Sequence, residues 1–138
     1  MNNLILLFGL LLSLLTNNAY SETIFIVSNS VTIESAQIEE IRLIFTGYVT
    51  RWKDGSPIKV FTPPFESINN RILVSAIGLT SSQYKDMISR KSYTRTFVEI
   101  STDVGIIDAV SKTDYSIGFL VSNRVLNQNI KTIKVTFE

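Results

Sequence analysis

The 138-residue sequence contains no cysteine and no histidine. Without cysteine, the protein has no disulfide bond, no thiolate nucleophile, no cysteine-ligated metal centre and no lipid-modified cysteine. Without histidine, it has no Ser-His-Asp triad, no HExxH zinc site and no imidazole general base. Lysine and arginine (13) nearly balance aspartate and glutamate (12), which gives a net charge of +1. Because nucleic-acid-binding domains are usually strongly basic, we expect no nucleic-acid partner.

The residue types that remain available for catalysis form no recognisable catalytic group. Residues 56–59 and 82–85 match the S-x-x-K pattern of penicillin-recognising enzymes, but the companion S-D-N and K-T-G motifs are missing. The carboxylates are scattered singly, and the adjacent pair Glu39 and Glu40 would not face each other on a helix. We therefore expect no enzymatic activity, no metal site and no cofactor.

The N-terminus carries the pattern of a secretory signal peptide. Residues 4–15 read LILLFGLLLSLL, and polar residues 16–18 and a small-x-small motif at 19–21 follow, although no Lys or Arg precedes the apolar block. Twelve apolar residues are fewer than the roughly 20 that span a bilayer, which disfavours the alternative of an uncleaved membrane anchor. We predict a signal peptide over residues 1–21, one domain over residues 22–138, and a periplasmic or secreted location.

Hydrophobic periodicity predicts alternating strands and helices after the signal peptide. Short β-branched or alternating apolar runs predict strands, whereas apolar residues three and four apart predict helices. The predicted order is strand 23–27, helix 36–45 capped by Ser35, strand 58–62, helix 67–77, a helix capped at 80–82, strand 97–100, helix 102–110, strand 116–121 and strand 132–137. This order predicts an α/β fold with a mixed, mostly parallel sheet flanked by helices, in which the last two strands are antiparallel or at an edge.

The spacing of apolar residues also predicts which helix faces are buried. In the helix at 67–77, Ile68, Ile72 and Ala76 share one face. In the helix at 102–110, Val104 and Val110 lie on the expected inner face together with Ile107. We expect these faces to pack against the sheet.

Several segments together resemble a known family. They are residues 41–47 (IRLIFTG), 49–58 (VTRWKDGSPI), 77–84 (IGLTSSQY) and 116–119 (SIGF). In this order and at these spacings they resemble the substrate-binding proteins of phosphate ABC importers, and in particular their short stand-alone members. These proteins share a helix that ends in IF-x-G, a W-x-DG-x-x-I turn and a late AIGY strand. The resemblance covers most of residues 23–121.

The resemblance implies a single periplasmic-binding-protein-like lobe that binds a solute. The large members hold phosphate between two lobes with hydroxyl groups, helix N-terminal N–H groups and an arginine. Helix N-termini favour anions because their N–H groups and the helix dipole both point at the ligand. The corresponding positions implied here are Thr62, Ser67, Asn70 and Arg71, with Ser30 from the loop after the first strand. The implied partners are a small oxyanion such as phosphate and a membrane transporter.

The same segment differs from the family pattern in ways that keep a second hypothesis open. Thr62 stands where the family has its arginine, the glycines of the phosphate loop are absent, and Glu66 adds a negative charge. Ser67 is also an ordinary helix N-cap, and Arg71 an ordinary solvated helix residue. The alternative is an envelope protein–protein interaction module that kept the fold and lost the ligand.

Overall fold

The computed structural model describes residues 24–90, 97–122 and 129–137, so the predicted signal peptide lies outside the described residues. Secondary structure begins and ends within two residues of most of the predicted boundaries. The elements in chain order are β1 (Ile24–Ser28), β2 (Ser35–Gln37), α1 (Ile38–Phe45), β3 (Lys59–Thr62), α2 (Ile68–Ala76), α3 (Ser81–Ser89), β4 (Phe97–Glu99), α4 (Asp103–Lys112), β5 (Ser116–Leu120) and β6 (Ile130–Thr136). No helix in these ranges is long and apolar enough to cross a membrane.

The strands of the described ranges form one mixed sheet in the order β2-β6-β1-β5-β3-β4. The β2–β6, β5–β3 and β3–β4 pairs are parallel, whereas β1 runs antiparallel to both of its neighbours. This arrangement confirms the predicted α/β class with a mostly parallel sheet. The last two strands each pair antiparallel with β1, but neither lies at an edge, because β2 and β4 occupy the edges.

Strand β2 was not predicted and replaces the expected start of the first helix. Ser35, predicted as the helix N-cap, instead pairs with Lys134 of β6, and the helix begins at Ile38. The Lys134 N–H donates to the Glu34 carbonyl oxygen at 3.0 Å, which extends this pairing by one residue. Pairing with β6 therefore outweighs the local capping preference of Ser35, as tertiary contacts commonly do.

Helices cover both faces of the sheet. Along β1, Phe25 and Val27 point to the face covered by the first three helices, and Ile26 points to the face covered by α4, as the two-residue period of a strand requires. Every residue of β5 is buried, because this strand lies in the middle of the sheet with helices on both sides.

The sheet buries a different face of α2 from the predicted one. Leu73, Val74 and Ile77 are almost completely buried, whereas Ile68 is 70% exposed and Ile72 is 37% exposed. The sequence of α2 carries two apolar stripes, and periodicity alone does not tell which of them meets the sheet.

The inner face of α4 is also rotated from the predicted one. Val104 is 62% exposed, and Ile106 takes its place in the core beside Val110. Val104 lies in the first turn of the helix and is exposed, so its spacing from Val110 did not predict burial in the core.

The segments that resemble the family have architectural roles. The Phe45 ring is fully buried at the end of α1, and Gly47 takes the positive φ of 85° that ends this helix. Trp52 is buried, and its indole N–H donates to the carbonyl oxygen of Tyr115 at 2.9 Å. Gly118 lets β5 approach α4, because a Cβ at this position would lie 2.6 Å from Ile106 Cγ2.

Replacing Gly118 with alanine tests this close approach. The new methyl group would also lie 3.0 Å from Val110 Cγ2, so α4 must shift, and we expect a loss of about 1–3 kcal/mol in the free energy of unfolding. Urea unfolding of residues 22–138 measures this loss. Ser82→Ala, at an exposed position of α3, is the control and should change stability by less than about 0.5 kcal/mol. Equal stability of the Gly118→Ala and wild-type domains would contradict the predicted close packing.

Candidate functional site

The candidate site begins where β3 ends and the chain turns into α2. Thr62 is the last residue of β3 and is completely buried, and its carbonyl oxygen accepts a hydrogen bond from the Ile100 N–H at 2.9 Å. After Pro63, the chain makes a tight turn in which the Ser67 N–H donates to the Pro64 carbonyl oxygen at 2.9 Å. This turn connects the end of β3 to the N-terminus of α2.

Ser67 is the N-cap of α2, as predicted. Its Oγ accepts from the Asn70 N–H at 3.1 Å and donates its proton to the Pro64 carbonyl oxygen at 2.7 Å. Because its single hydroxyl proton is directed at Pro64, Ser67 positions the helix and does not present a free donor. Contact with a ligand at this end of the helix therefore falls to neighbouring residues.

A pocket of about 410 Å³ lies between α2 and α3. Its lining combines apolar, polar and charged side chains from both helices and from the turn before α2. We call it the α2–α3 pocket, and it is lined by Phe65, Glu66, Asn70, Arg71, Val74, Ser81, Tyr84, Lys85 and Ile88.

Two buried polar atoms of the α2–α3 pocket have no hydrogen-bond partner among the described residues. They are Nδ2 of Asn70 and the hydroxyl oxygen of Tyr84, whose residues are only 2% and 3% exposed. A buried polar group without a partner costs about 1–3 kcal/mol. Both residues line one pocket, but neither atom is exposed to solvent, so a ligand that satisfies them must displace neighbouring side chains.

Burial raises the pKa of Tyr84 to about 12, because the interior disfavours the charged phenolate. Interaction with the Asn70 side-chain amide lowers the pKa, and the negative charge of Glu99 raises it. The Asn70 amide and the Tyr84 hydroxyl therefore lie near each other, although the two groups do not meet hydrogen-bond geometry. The phenol is therefore protonated at neutral pH and is able to donate a hydrogen bond.

Charged side chains of both signs surround the pocket. Arg71 and Lys85 are exposed cations, and Glu66 is an exposed carboxylate. The Glu99 carboxylate accepts a hydrogen bond from the Phe65 N–H at 2.8 Å, so this backbone donor is already engaged. The lining therefore holds two cations and one carboxylate, and the Glu99 carboxylate lies beside it with its oxygen engaged by the Phe65 N–H.

The structure separates Ser30 from the other predicted site residues. Because β1 runs antiparallel to β3 and β5, the loop after β1 lies at the end of the sheet where β3 begins. There the Ser30 hydroxyl accepts from the Tyr115 N–H at 2.7 Å. Ser116, the residue after Tyr115, pairs with Lys59 at the start of β3. Thr62 lies three residues further along this strand, a distance of roughly 10 Å at about 3.3 Å per residue. The structure therefore places Ser30 at the opposite end of the sheet from Thr62.

Of the predicted residues, Asn70 and Arg71 line the pocket, Ser67 caps its helix, and Thr62 lies buried at the end of β3. The sequence analysis missed Tyr84 and Lys85 as site residues. The buried position of Tyr84 fits an ordinary core residue, and only the packing of α3 beside α2 brings both residues to the pocket.

A second, larger pocket of about 500 Å³ lies beside the edge strand β2. Its lining includes Leu43, Arg51, Trp52 and Lys53, but neither of the two unpartnered buried polar atoms. Across the described ranges, no group of three or more Asp or Glu residues is arranged to hold a metal ion. We therefore take the α2–α3 pocket as the candidate site.

The burial of Tyr84 predicts a pH dependence of stability. Below pH 10 the phenol is protonated in the folded and the unfolded chain, so it does not make the free energy of unfolding change with pH. Between pH 10 and about 12 the unfolded chain releases this proton while the folded chain keeps it. The free energy of unfolding should therefore fall as the pH rises, by at most about 3 kcal/mol. Urea unfolding at several alkaline pH values should show a flatter fall for Tyr84→Phe, and parallel curves would refute this interpretation.

Comparison with known proteins shows which fold carries this pocket. No protein-family model matches the sequence, and no curated protein matches it. Among solved structures, it is similar to a Clostridium perfringens protein described as a phosphate ABC transporter substrate-binding protein and solved with bound phosphate. That match has a TM-score of 0.68 and 19% identity, over 85% of this chain and 46% of the other.

Two further solved structures show the same similarity. An ABC-type phosphate transport receptor from Vibrio cholerae has a TM-score of 0.65 and 20% identity, over 83% of this chain and 46% of the receptor. PstS from Borrelia burgdorferi has a TM-score of 0.64 and 18% identity, over 86% of this chain and 48% of that protein. The chain thus spans about half the length of these proteins. It has the periplasmic-binding-protein-like α/β fold that part of each phosphate-transport protein adopts.

Proposed function

We propose that this protein is a non-enzymatic solute-binding module that holds the oxyanion of a small solute, such as phosphate, in the α2–α3 pocket. One observation carries the proposal. The side-chain amide of Asn70, in the first turn of α2, is buried without a partner in a pocket that also contains Arg71 and Lys85. A helix N-terminus together with a buried amide donor and two cations favours a negatively charged ligand.

Each polar residue of the pocket has a separate role in this proposal. The Asn70 amide and the Tyr84 hydroxyl donate hydrogen bonds to the oxyanion, and Arg71 supplies a planar pair of N–H donors suited to two oxygens. Lys85 adds a mobile positive charge. Ser67 and Thr62 act indirectly, because Ser67 holds the start of the helix and Thr62 is buried at the end of β3.

The fold supports a solute-binding role without identifying the solute. The similar structures carry names that refer to phosphate transport, and one contains phosphate. This chain spans about half of their length, and in this proposal the α2–α3 pocket holds the solute with groups from this half alone. We therefore expect weaker binding than a two-lobed protein achieves by closing around its ligand.

Thermal unfolding in the presence of oxyanions tests the proposal. Phosphate, sulfate or a small carboxylate should raise the melting temperature of residues 22–138 saturably, since a ligand at 100 times its Kd stabilises a domain by about 2.7 kcal/mol. The double variant Arg71→Gln/Lys85→Gln should lose most of this shift, because it removes both cations of the pocket while replacing only exposed side chains.

Lys134→Gln is the matched control, because it removes one exposed cation from β6 at a distance from the pocket. This variant should keep the full shift. An unchanged shift in the double variant would refute the site, and the absence of any shift at millimolar anion would refute oxyanion binding.

A specific observation favours the interaction module as a second candidate function. The Phe65 N–H, in the turn before α2, is already bonded to the Glu99 carboxylate, so the protein supplies its own anion at this donor. Ile68 and Ile72 also present an apolar stripe to solvent on the neighbouring face of α2. If no oxyanion stabilises the domain, binding to an envelope protein or to a membrane transporter becomes the favoured role.

The proposed role includes export. The apolar block at residues 4–15 and the small-x-small motif at 19–21 support a signal peptide over residues 1–21 that is removed before the domain works in the periplasm or outside the cell. Intact-mass measurement of the exported protein should give a chain that begins at Glu22. A mature chain that still begins at Met1 would contradict cleavage.

A further inference from the structure

We infer that the solute of the α2–α3 pocket is an organic oxyanion, in which a phosphate or carboxylate group is joined to an apolar body about the size of an aromatic ring. This inference rests on the proposed function and specifies its ligand. It differs from the phosphate bound in the similar Clostridium perfringens structure, because the lining of this pocket offers more than an anion alone can use.

The volume of the pocket is the first reason. Inorganic phosphate has five heavy atoms and displaces a few water molecules, at about 30 Å³ for each water, which is on the order of 100 Å³. The α2–α3 pocket measures about 410 Å³, within the range of pockets that hold organic molecules. A free phosphate ion would leave most of this volume to water.

The walls of the pocket are the second reason. Phe65 and Ile88 contribute half-buried apolar surface, and the rings of Phe65 and Tyr84 lie with centroids 6.3 Å apart at an angle of 47°. Such walls gain from contact with an apolar group, by about 25 cal/mol for each Å² removed from water. A bare anion gains nothing from them and loses hydration.

The distribution of side chains along both helices is the third reason. On α2, Val74 follows Asn70 by four residues, and on α3, Ile88 follows Tyr84 by four residues, so each pair shares one helix face. Each helix therefore presents a buried polar group and an apolar group to the same pocket. A ligand that uses both kinds of group must itself carry a polar end and an apolar end.

The charges assign the polar end. Arg71 and Lys85 outnumber Glu66 in the lining, and Asn70 Nδ2 and the protonated Tyr84 hydroxyl are both donors. A neutral polar group would leave both cations without a partner, whereas a carboxylate or phosphate ester engages the cations and the donors together. The anionic group is therefore a carboxylate or a phosphate ester.

Isothermal titration of residues 22–138 with matched ligands tests the inference. The probes are phenyl phosphate and benzoate, with inorganic phosphate lacking the ring and phenol lacking the charge. We expect phenyl phosphate or benzoate to bind at least tenfold more tightly than inorganic phosphate and than phenol. Whichever of the two binds more tightly identifies the anionic group.

Variants of α3 give a second, independent measurement. Ile88→Ala removes half-buried apolar surface from the pocket, so it should weaken phenyl phosphate or benzoate three- to tenfold and change inorganic phosphate less than twofold. Met87→Ala removes a similar half-buried side chain that does not line the pocket, and it should leave both affinities unchanged. If Ile88→Ala does not fold, Ile88→Val should produce the same selective loss in smaller degree.

The outcomes separate the two proposals. Equal affinity for inorganic phosphate and the aryl anions would overturn the inference and leave the proposed oxyanion-binding function standing. Tight binding of phenol would overturn both, because the charge would then be irrelevant. No binding of any anion would also overturn both.

Discussion

Leu73, Val74 and Ile77 are almost fully buried against the sheet, and this contact sets the rotation of α2. Each such side chain contributes about 1.5–3 kcal/mol when it is fully buried. Together they outweigh the cost of about 1–3 kcal/mol for burying the Asn70 amide donor without a partner. The sheet therefore decides which way α2 faces, and the buried amide at its N-terminus follows from that choice.

The side of the α2–α3 pocket that α3 forms depends on where this helix begins. Thr80 and Gln83 form a capping box in which the Thr80 Oγ1 accepts from the Gln83 N–H at 3.1 Å and the Gln83 Oε1 accepts from the Thr80 N–H at 2.9 Å. Tyr84 follows immediately and packs into the core beside α2. Because both helices start at well-formed caps, the helix turns that carry Asn70 and Tyr84 are held in place by local hydrogen bonds.

The direction of β1 explains why one predicted site residue lies elsewhere. A parallel β1 would have brought the Ser28–Ser30 loop to the same sheet end as Thr62. The antiparallel pairing with β5 and β6 carries it to the opposite end. There Ser30 accepts from the Tyr115 N–H, and the Tyr115 carbonyl oxygen accepts from Trp52, so these residues support the fold away from the pocket. Within the family-like segments, Phe45 and Trp52 lie in the core.

Local patterns in the sequence determined the class of the fold. The predicted α/β alternation and the caps Ser67 and Thr80 depend on short-range chemistry, and the structure confirms them. Strand β2 escaped prediction because its three residues are extended only by pairing with β6, which lies about a hundred positions away in the chain.

The residues of the candidate site also divide into those that the sequence pointed to and those that only tertiary structure brings together. Asn70 and Arg71 were implied by the resemblance to phosphate-binding proteins, at positions near a helix start that the local sequence also predicts. Tyr84 and Lys85 join them only because α3 packs beside α2, and Ser30 leaves because β1 is reversed. The sequence by itself determined the elements, their caps and the lack of cysteine and histidine chemistry. Tertiary structure alone decided which helix faces are buried and which side chains meet, because these depend on contacts between residues that are distant in sequence.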